Sequence, residues 1–167
     1  MEIKDTYSYK STILAEYLAA IANERRLSIN MTKLQKLLYI VYGAYLRIYE
    51  ERLLNEHPQA WPYGPVFPST RNHLLKKDLY DIELSSIDEQ LKADDRLNRV
   101  IDFVLAKFGT WNAGQLSVWS HSSGSPWDKT TNAKGFRWGD VIPDTFILSY
   151  FTEIITIRPN SDGTKQP

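Results

Sequence analysis

One segment restricts this chain more than any other. From Thr32 to Tyr45 the sequence runs TKLQKLLYIVYGAY. Leu34, Leu37, Leu38, Val41, Tyr42 and Tyr45 recur at helical spacing and form one apolar stripe. Ile40 and Gly43 lie off that stripe. A helix that is apolar on more than one side is buried on more than one side. Any fold built on it must wrap other elements around a central helix. Gly43 in mid-helix costs about 1 kcal/mol relative to Ala, and close approach of another helix would give it a reason to be there. Thr32-Lys33-Leu34-Gln35 matches a capping box, with Thr32 as the cap and Gln35 reaching back to it.

The remaining periodicity supplies the wrapping. Ile13, Leu14, Tyr17, Leu18 and Ile21 predict a first helix over about Ser11 to Arg25. Pro58, Pro62, Gly64 and Pro65 interrupt backbone ladders, so Leu53 to Phe67 is a non-helical loop. Pro68 suits the first turn of a helix reaching about Lys77, and Tyr80 to Ser86 reads as a connector with a short extended piece. Leu97, Val100, Ile101, Val104, Leu105 and Phe108 predict a helix over about Ala93 to Phe108, closed by Gly109. Asn112 caps a short helix carrying Leu116 and Trp119. Gly124 to Gly139 reads as irregular with a small hairpin. A last helix starts near Pro143 and presents Phe146, Ile147, Tyr150 and Phe151. The expectation is a mainly α, compact single domain: about six helices around a central one, a Pro/Gly-rich loop and minor β structure. The polar, breaker-rich stretch 158–167 is expected to be a disordered tail.

Composition narrows the function. The 20 basic and 20 acidic residues cancel, so the basic footprint of a nucleic-acid binder is missing overall. Arg96 and Arg99 are poor base readers beside Asp94, Asp95 and Asp102. Without cysteine there is neither disulfide nor thiolate metal site. The N-terminal residues have no apolar signal-peptide core, and no apolar run approaches the ~20 residues of a membrane span. The expected location is the cytoplasm.

No catalytic pattern emerges. His57, His73 and His121 have no metal-ligand spacing. The glycines write neither a phosphate loop nor a nucleophile elbow. The paired acids Glu50, Glu51 and Asp94, Asp95 fall at helix ends, where acids cap or solvate. Ser120 to Asp128 gathers Ser, His and Asp, which offers a nucleophile and base around His121. The same residue types prefer capping and turn positions for local reasons, with Trp127 docked on the core. No cofactor or metal is expected. Four of the five tryptophans fall between Trp111 and Trp138. Because Trp dominates interface hot spots, Trp119, Trp127 and Trp138 are the candidate partner contacts.

Three motifs together resemble one family. Leu34-Gln35-Lys36-Leu37-Leu38-Tyr39 is followed by Ala60-Trp61-Pro62-Tyr63-Gly64-Pro65-Val66. Leu116, Ser117, His121, Pro126 and Trp127 then complete the pattern. This combination resembles the Panacea domain, the SocA-like antitoxins of bacteria and their phages, over about residues 11–151. The domain is accordingly drawn as 1–157.

The resemblance implies an antitoxin of a two-gene module that neutralises a cognate toxin by protein–protein contact, with neither cofactor nor catalytic residue. It assigns the motif residues mainly to maintaining the fold: Leu34, Leu37, Leu38 and Tyr39 in the core, and Trp61, Tyr63, Gly64, Pro65 and Val66 in a rigid loop above it. Gln35 and Lys36 would hydrogen-bond that loop. Two alternatives remain open: an adaptor presenting a toxin or other client to a protease, and a small hydrolase using His121.

Overall fold

The computed structural model describes residues 3–167. The central helix, α2, spans Met31–Tyr49, and every residue from Lys33 to Leu46 is buried. Around it stand α1 (Ser11–Glu24), α3 (Pro68–Leu74), α4 (Glu89–Ala93), α5 (Asp95–Phe108), α6 (Ala113–Ser120), α7 (Pro126–Thr131) and α8 (Asp144–Ile154). α2 contacts α1, α3, α5, α6 and α8. The mainly α class built on a central helix is as expected.

The eight α-helices among the described residues exceed the expected number by two. α4 and α7 have five and six residues, too few to display a 3.6-residue period. Each is started by a side chain: Asp88 accepts from the Gln90 amide, and Ser125 from the Asp128 amide. Pro126 occupies the first turn of α7, where its missing N–H costs nothing. This helix replaces the hairpin expected between Gly124 and Gly139. The Tyr80 to Ser86 connector holds two single 3-10 turns, Leu79–Asp81 and Leu84–Ser86.

The capping reading of Thr32 does not hold. Asn30 caps α2 by accepting from the Lys33 amide at 2.8 Å. Gln35 is thereby freed for a tertiary contact described below. Asn112 and Gln115 do form a capping box, at the start of α6.

Among the described residues, three two-stranded sheets complete the fold. β1 (Lys4–Tyr9) runs parallel to β2 (Glu51–Leu54). The alternation of apolar residues that would reveal β1 is weak. It is held by its backbone partner, by Arg52 over the Tyr7 ring, and by the Tyr9 hydroxyl donating to Asp94 at 2.6 Å. β3 (Gln59–Trp61) and β4 (Gly64–Val66) form an antiparallel hairpin inside the Pro/Gly-rich loop. Gly139 to Ile142 pairs along the other edge of β3. In the stretch expected to be a disordered tail, β5 (Arg158–Pro159) and β6 (Lys165–Gln166) form a short hairpin.

Asn55 and Glu56 fasten two helix starts at once. Asn55 accepts from the Ser11 amide at 2.9 Å. Glu56 accepts from the Ser11 hydroxyl at 2.5 Å and from the Ser69 and Thr70 amides at 3.2 and 3.3 Å. A carboxylate at the N-terminus of α3 satisfies unpaired amides and complements the helix dipole.

Gly43 has the reason expected of it. A Cβ there would lie 2.5 Å from Cζ and 2.6 Å from Cδ2 of Phe151 on α8. Phe151 is fully buried and meets the Tyr39 ring edge-on at 5.9 Å. Gly43→Ala is therefore expected to lower stability by about 1–3 kcal/mol, even though Ala is the better helix former. Urea unfolding checks this: a midpoint equal to or above the native one would refute the close-packing argument.

Candidate functional site

The motif residues converge where α2, the β3–β4 hairpin, the end of α6 and the start of α7 meet. From α2, the buried Gln35 clamps the residue after β4. Its Oε1 accepts from the Phe67 amide at 2.8 Å and its Nε2 donates to the Phe67 carbonyl at 3.3 Å. One turn face further, Lys36 Nζ donates to the Pro65 carbonyl at 3.1 Å. Gly64, the first residue of β4, has φ +109°, and a Cβ on it would fall 2.7 Å from Lys36 Cε and 2.6 Å from Ser120 Oγ. Both the backbone angle and the space require glycine. From the other side, Trp127 Nε1 donates to the Trp61 carbonyl at 2.8 Å, and Ser117 Oγ to the Tyr63 carbonyl at 3.4 Å.

The electrostatics of this junction are unusual. Lys36 is only 1% exposed, and burial lowers its amine to about 8. Burial also lowers Lys33, whose Nζ donates to the Gly109 carbonyl at the end of α5, 2.7 Å away. His121 packs edge-on against Trp127 with ring centres 4.1 Å apart. Burial, and then the charge of Lys36, lower its pKa, so the ring is neutral at pH 7. Its Nε2 is buried and has no hydrogen-bond partner.

The serines and aspartate near His121 are engaged elsewhere. Ser120 Oγ donates to the Ser117 carbonyl, and Ser125 Oγ to the Ser120 carbonyl. Asp128 accepts from the Gly124 amide and from Asn132 Nδ2. Ser122 Oγ lies 3.5 Å from the Tyr150 hydroxyl. Among the described residues, no hydrogen bond joins the His121 ring to a serine hydroxyl or an aspartate carboxylate, and no group of three or more metal-ligating side chains gathers.

The other nominated residues divide between inside and outside. Leu34, Leu37, Leu38 and Tyr39 are core, as are Pro65, Val66 and Pro126. Trp119 is half-buried against Phe108, Tyr150 and Phe151. Trp127 is also half-buried, and Trp138, stacked near it at 6.2 Å, is exposed. Sequence reasoning passed over the outward side of α6. Val118 is exposed there, and Trp111, Gly114 and Val118 help line a groove. The available signal was that α6 is apolar towards solvent as well as towards the core.

A second cluster was also missed. The Tyr42 hydroxyl donates to Asp144 at 2.5 Å, His57 Nδ1 lies 3.4 Å from the same carboxylate, and Arg52 Nη1 is 3.2 Å from His57 Nε2. It ties α2 to the first turn of α8. Its members lie up to 102 positions apart, so local spacing gives no hint of it.

The chain matches the family described as antitoxin SocA-like, Panacea domain, over residues 34–128. The match spans the whole junction, from the motif on α2 to Trp127 and Asp128. This protein belongs to the SocA-like antitoxin family. It is also similar to the antitoxin SocA of Caulobacter vibrioides (strain NA1000 / CB15N), with 30% identity over 148 residues, covering 81% of this chain and 78% of that one. No solved structure matches it. Among the described residues, no helix is long and apolar enough to cross a membrane. In this member of the SocA-like family the motif residues are largely spent internally, as hydrogen-bond donors, acceptors and core.

The buried amine makes stability depend on pH. Lys36 loses its proton near 8 when folded and near its ordinary 10.5 when unfolded. Between those values the unfolded chain binds more protons, so stability rises with pH. Fully developed below pH 8, the penalty is about 3 kcal/mol. Lys36→Met removes it and loses one hydrogen bond of about 1 kcal/mol. The variant is therefore expected to gain on the native protein at pH 6.5, and to lose that advantage by pH 9.5. Urea midpoints at the two pH values decide it; an equal difference at both would show that the ammonium is not penalised in the fold.

Proposed function

We propose that this protein neutralises a cognate toxin by binding it directly. Membership of the antitoxin family supports a toxin partner in general. The observation that favours direct binding is the display of large apolar side chains around the β3–β4 hairpin. Tyr63 in its turn is 77% exposed, Val118 on α6 74%, and Trp138 58%. Each is anchored to the hairpin. Ser117, the neighbour of Val118, bonds the Tyr63 carbonyl, and Trp127, the ring partner of Trp138, bonds the Trp61 carbonyl.

Aromatic residues held on a rigid base lose little conformational freedom on binding and are favoured as interface anchors. The hairpin provides that base through Gln35 and Lys36. No chemistry is assigned to the protein in this reading. Stable complexes of this kind bury about 1,200–2,000 Å² in total, and the exposed rings would sit near the middle of such a contact.

Co-expression tests the reading. The product of the adjacent gene is expressed alone and then with this protein. Growth arrest, relief by this protein, and co-purification of the pair are the expected results. Trp138→Ala should weaken the complex by about 1–2 kcal/mol while leaving the fold intact. Relief of arrest without a complex, together with loss of the toxin only when a protease is present, would replace direct neutralisation by delivery to that protease.

A further inference from the structure

We infer that the β3–β4 hairpin is a proton-operated latch: a proton taken up by His121 loosens the hairpin and withdraws the toxin-binding surface that stands on it. The withdrawal of that surface rests on the direct-binding reading above; the loosening of the hairpin does not.

The His121 ring is placed where a charge has no counterpart. His121 is the C-terminal cap of α6, and its ring packs edge-on against Trp127 of α7. Its Nε2 is buried and unpartnered. In an imidazolium both ring nitrogens carry a proton. Nε2 would then be a buried donor of a charged group with no acceptor, which is a costly arrangement.

The elements around the ring supply no compensating anion. Their ionisable groups are Lys36 on α2, Tyr63 in the hairpin turn, Asp128 and Lys129 on α7, Arg137 and Asp140 after it, and Tyr150 on α8. Asp128 is held by the Gly124 amide and Asn132, and Asp140 by the Arg137 amide. Lys129 lies over the Phe146 ring. Burial and then Lys36 act against a charge on His121, and the Pro62 and Ser117 carbonyls only partly offset them. The folded ring therefore binds its proton below its ordinary 6.5. Between those two values the unfolded chain holds more protons, so the docked arrangement weakens as pH falls through 6.5. Lys36, with its amine at about 8, is already charged there. The junction holds one buried cation at pH 7 and would have to hold two in acid.

The hairpin is the part that yields. Each of its strands has three residues. Two of its ties run to groups that bear on His121: Lys36 to the Pro65 carbonyl, and Trp127 to the Trp61 carbonyl. The His121 ring is half-buried, so it reaches water by turning outward, which takes the wall away from Trp127. The apolar seal of α2 does not include His121 and stays closed. Tyr63 and Trp138 then lose the rigid base on which they are displayed.

NMR titration of the full-length protein from pH 7.5 to 5 reads the His121 ring and the hairpin amides together. His121 is expected to titrate below 6.5, with the Trp61, Tyr63 and Phe67 amides moving at the same midpoint. Hydrogen exchange, corrected for its intrinsic pH dependence, should show loss of protection at the Phe67 amide while Leu38 in α2 stays protected. Lys36→Met should raise the His121 midpoint towards 6.5, and His121→Gln should abolish the acid transition. A midpoint at or above 6.5, hairpin signals indifferent to His121, or simultaneous loss of protection in α2 would overturn the latch. The Lys36→Met shift keeps the test decisive even where His121→Gln does not fold. Affinity for the purified product of the adjacent gene is then measured at pH 7.5 and 5.5. Weaker binding at 5.5 by the native protein, and equal binding at both by His121→Gln, are expected. Equal native binding at both would overturn the withdrawal of the surface. Failure to bind at either pH would overturn the direct-binding reading and that withdrawal with it, while the hairpin result, read on the protein alone, stands by itself.

Discussion

α2 is enclosed by protein from Lys33 to Leu46, and the rest of the structure depends on that. A polar side chain with no access to water must find its partner within the fold or destabilise it. Three polar side chains face this requirement near the start of α2. Lys33 reaches the carbonyl end of α5, Gln35 both backbone groups of Phe67, and Lys36 the Pro65 carbonyl. Further along, Tyr42 reaches Asp144 on α8. The central helix thus fixes the end of one helix, the hairpin and the first turn of another. Apolar contacts alone would leave those positions less defined, because burial has no direction.

Such contacts favour definition over stability. An ammonium donating to a carbonyl, with no carboxylate nearby, regains only part of its lost hydration. Lys36 compensates by releasing its proton more readily, which is why its amine falls to about 8. His121, neutral and close to that amine, fits the same scheme: a second buried positive charge would be costly there. The His121 ring therefore acts as a wall for Trp127, and Trp127 in turn carries the hairpin through Trp61.

What was legible in the sequence follows from range. The central helix, its apolar surround and the close approach at Gly43 were readable, because each is recorded in periodicity within about fifteen residues. So was the tie from Gln35 and Lys36 to the loop, although only through the family resemblance. β1, α4 and α7 were not readable. β1 is defined by a partner strand that starts at Glu51, and the two helices are shorter than two turns. The misread cap is instructive. Thr32 and Gln35 satisfy the capping pattern locally, but Asn30 lies two residues earlier and takes the amide. The outward side of α6 was legible only in part: Trp119 was among the candidate partner contacts, but Val118 beside it was not, because a single valine in a short helix does not show which way it faces.

The arrangement separates two tasks that sequence alone cannot distinguish. Gln35, Lys36, Gly64, Pro65, Pro126 and Trp127 hold the hairpin and are mostly withdrawn from solvent. A substitution at any of them would loosen the base on which Tyr63 and Trp138 stand, so folding and partner binding would fall together. Losses of function at motif positions therefore say little about where a partner touches. The outward positions behave differently. Val118 is largely exposed, so a substitution there removes little internal packing. Under the proposed mode of action, partner preference can shift at these outer residues while the central helix and its hydrogen bonds stay as they are. The chain can then keep one core and present a different surface to a different toxin.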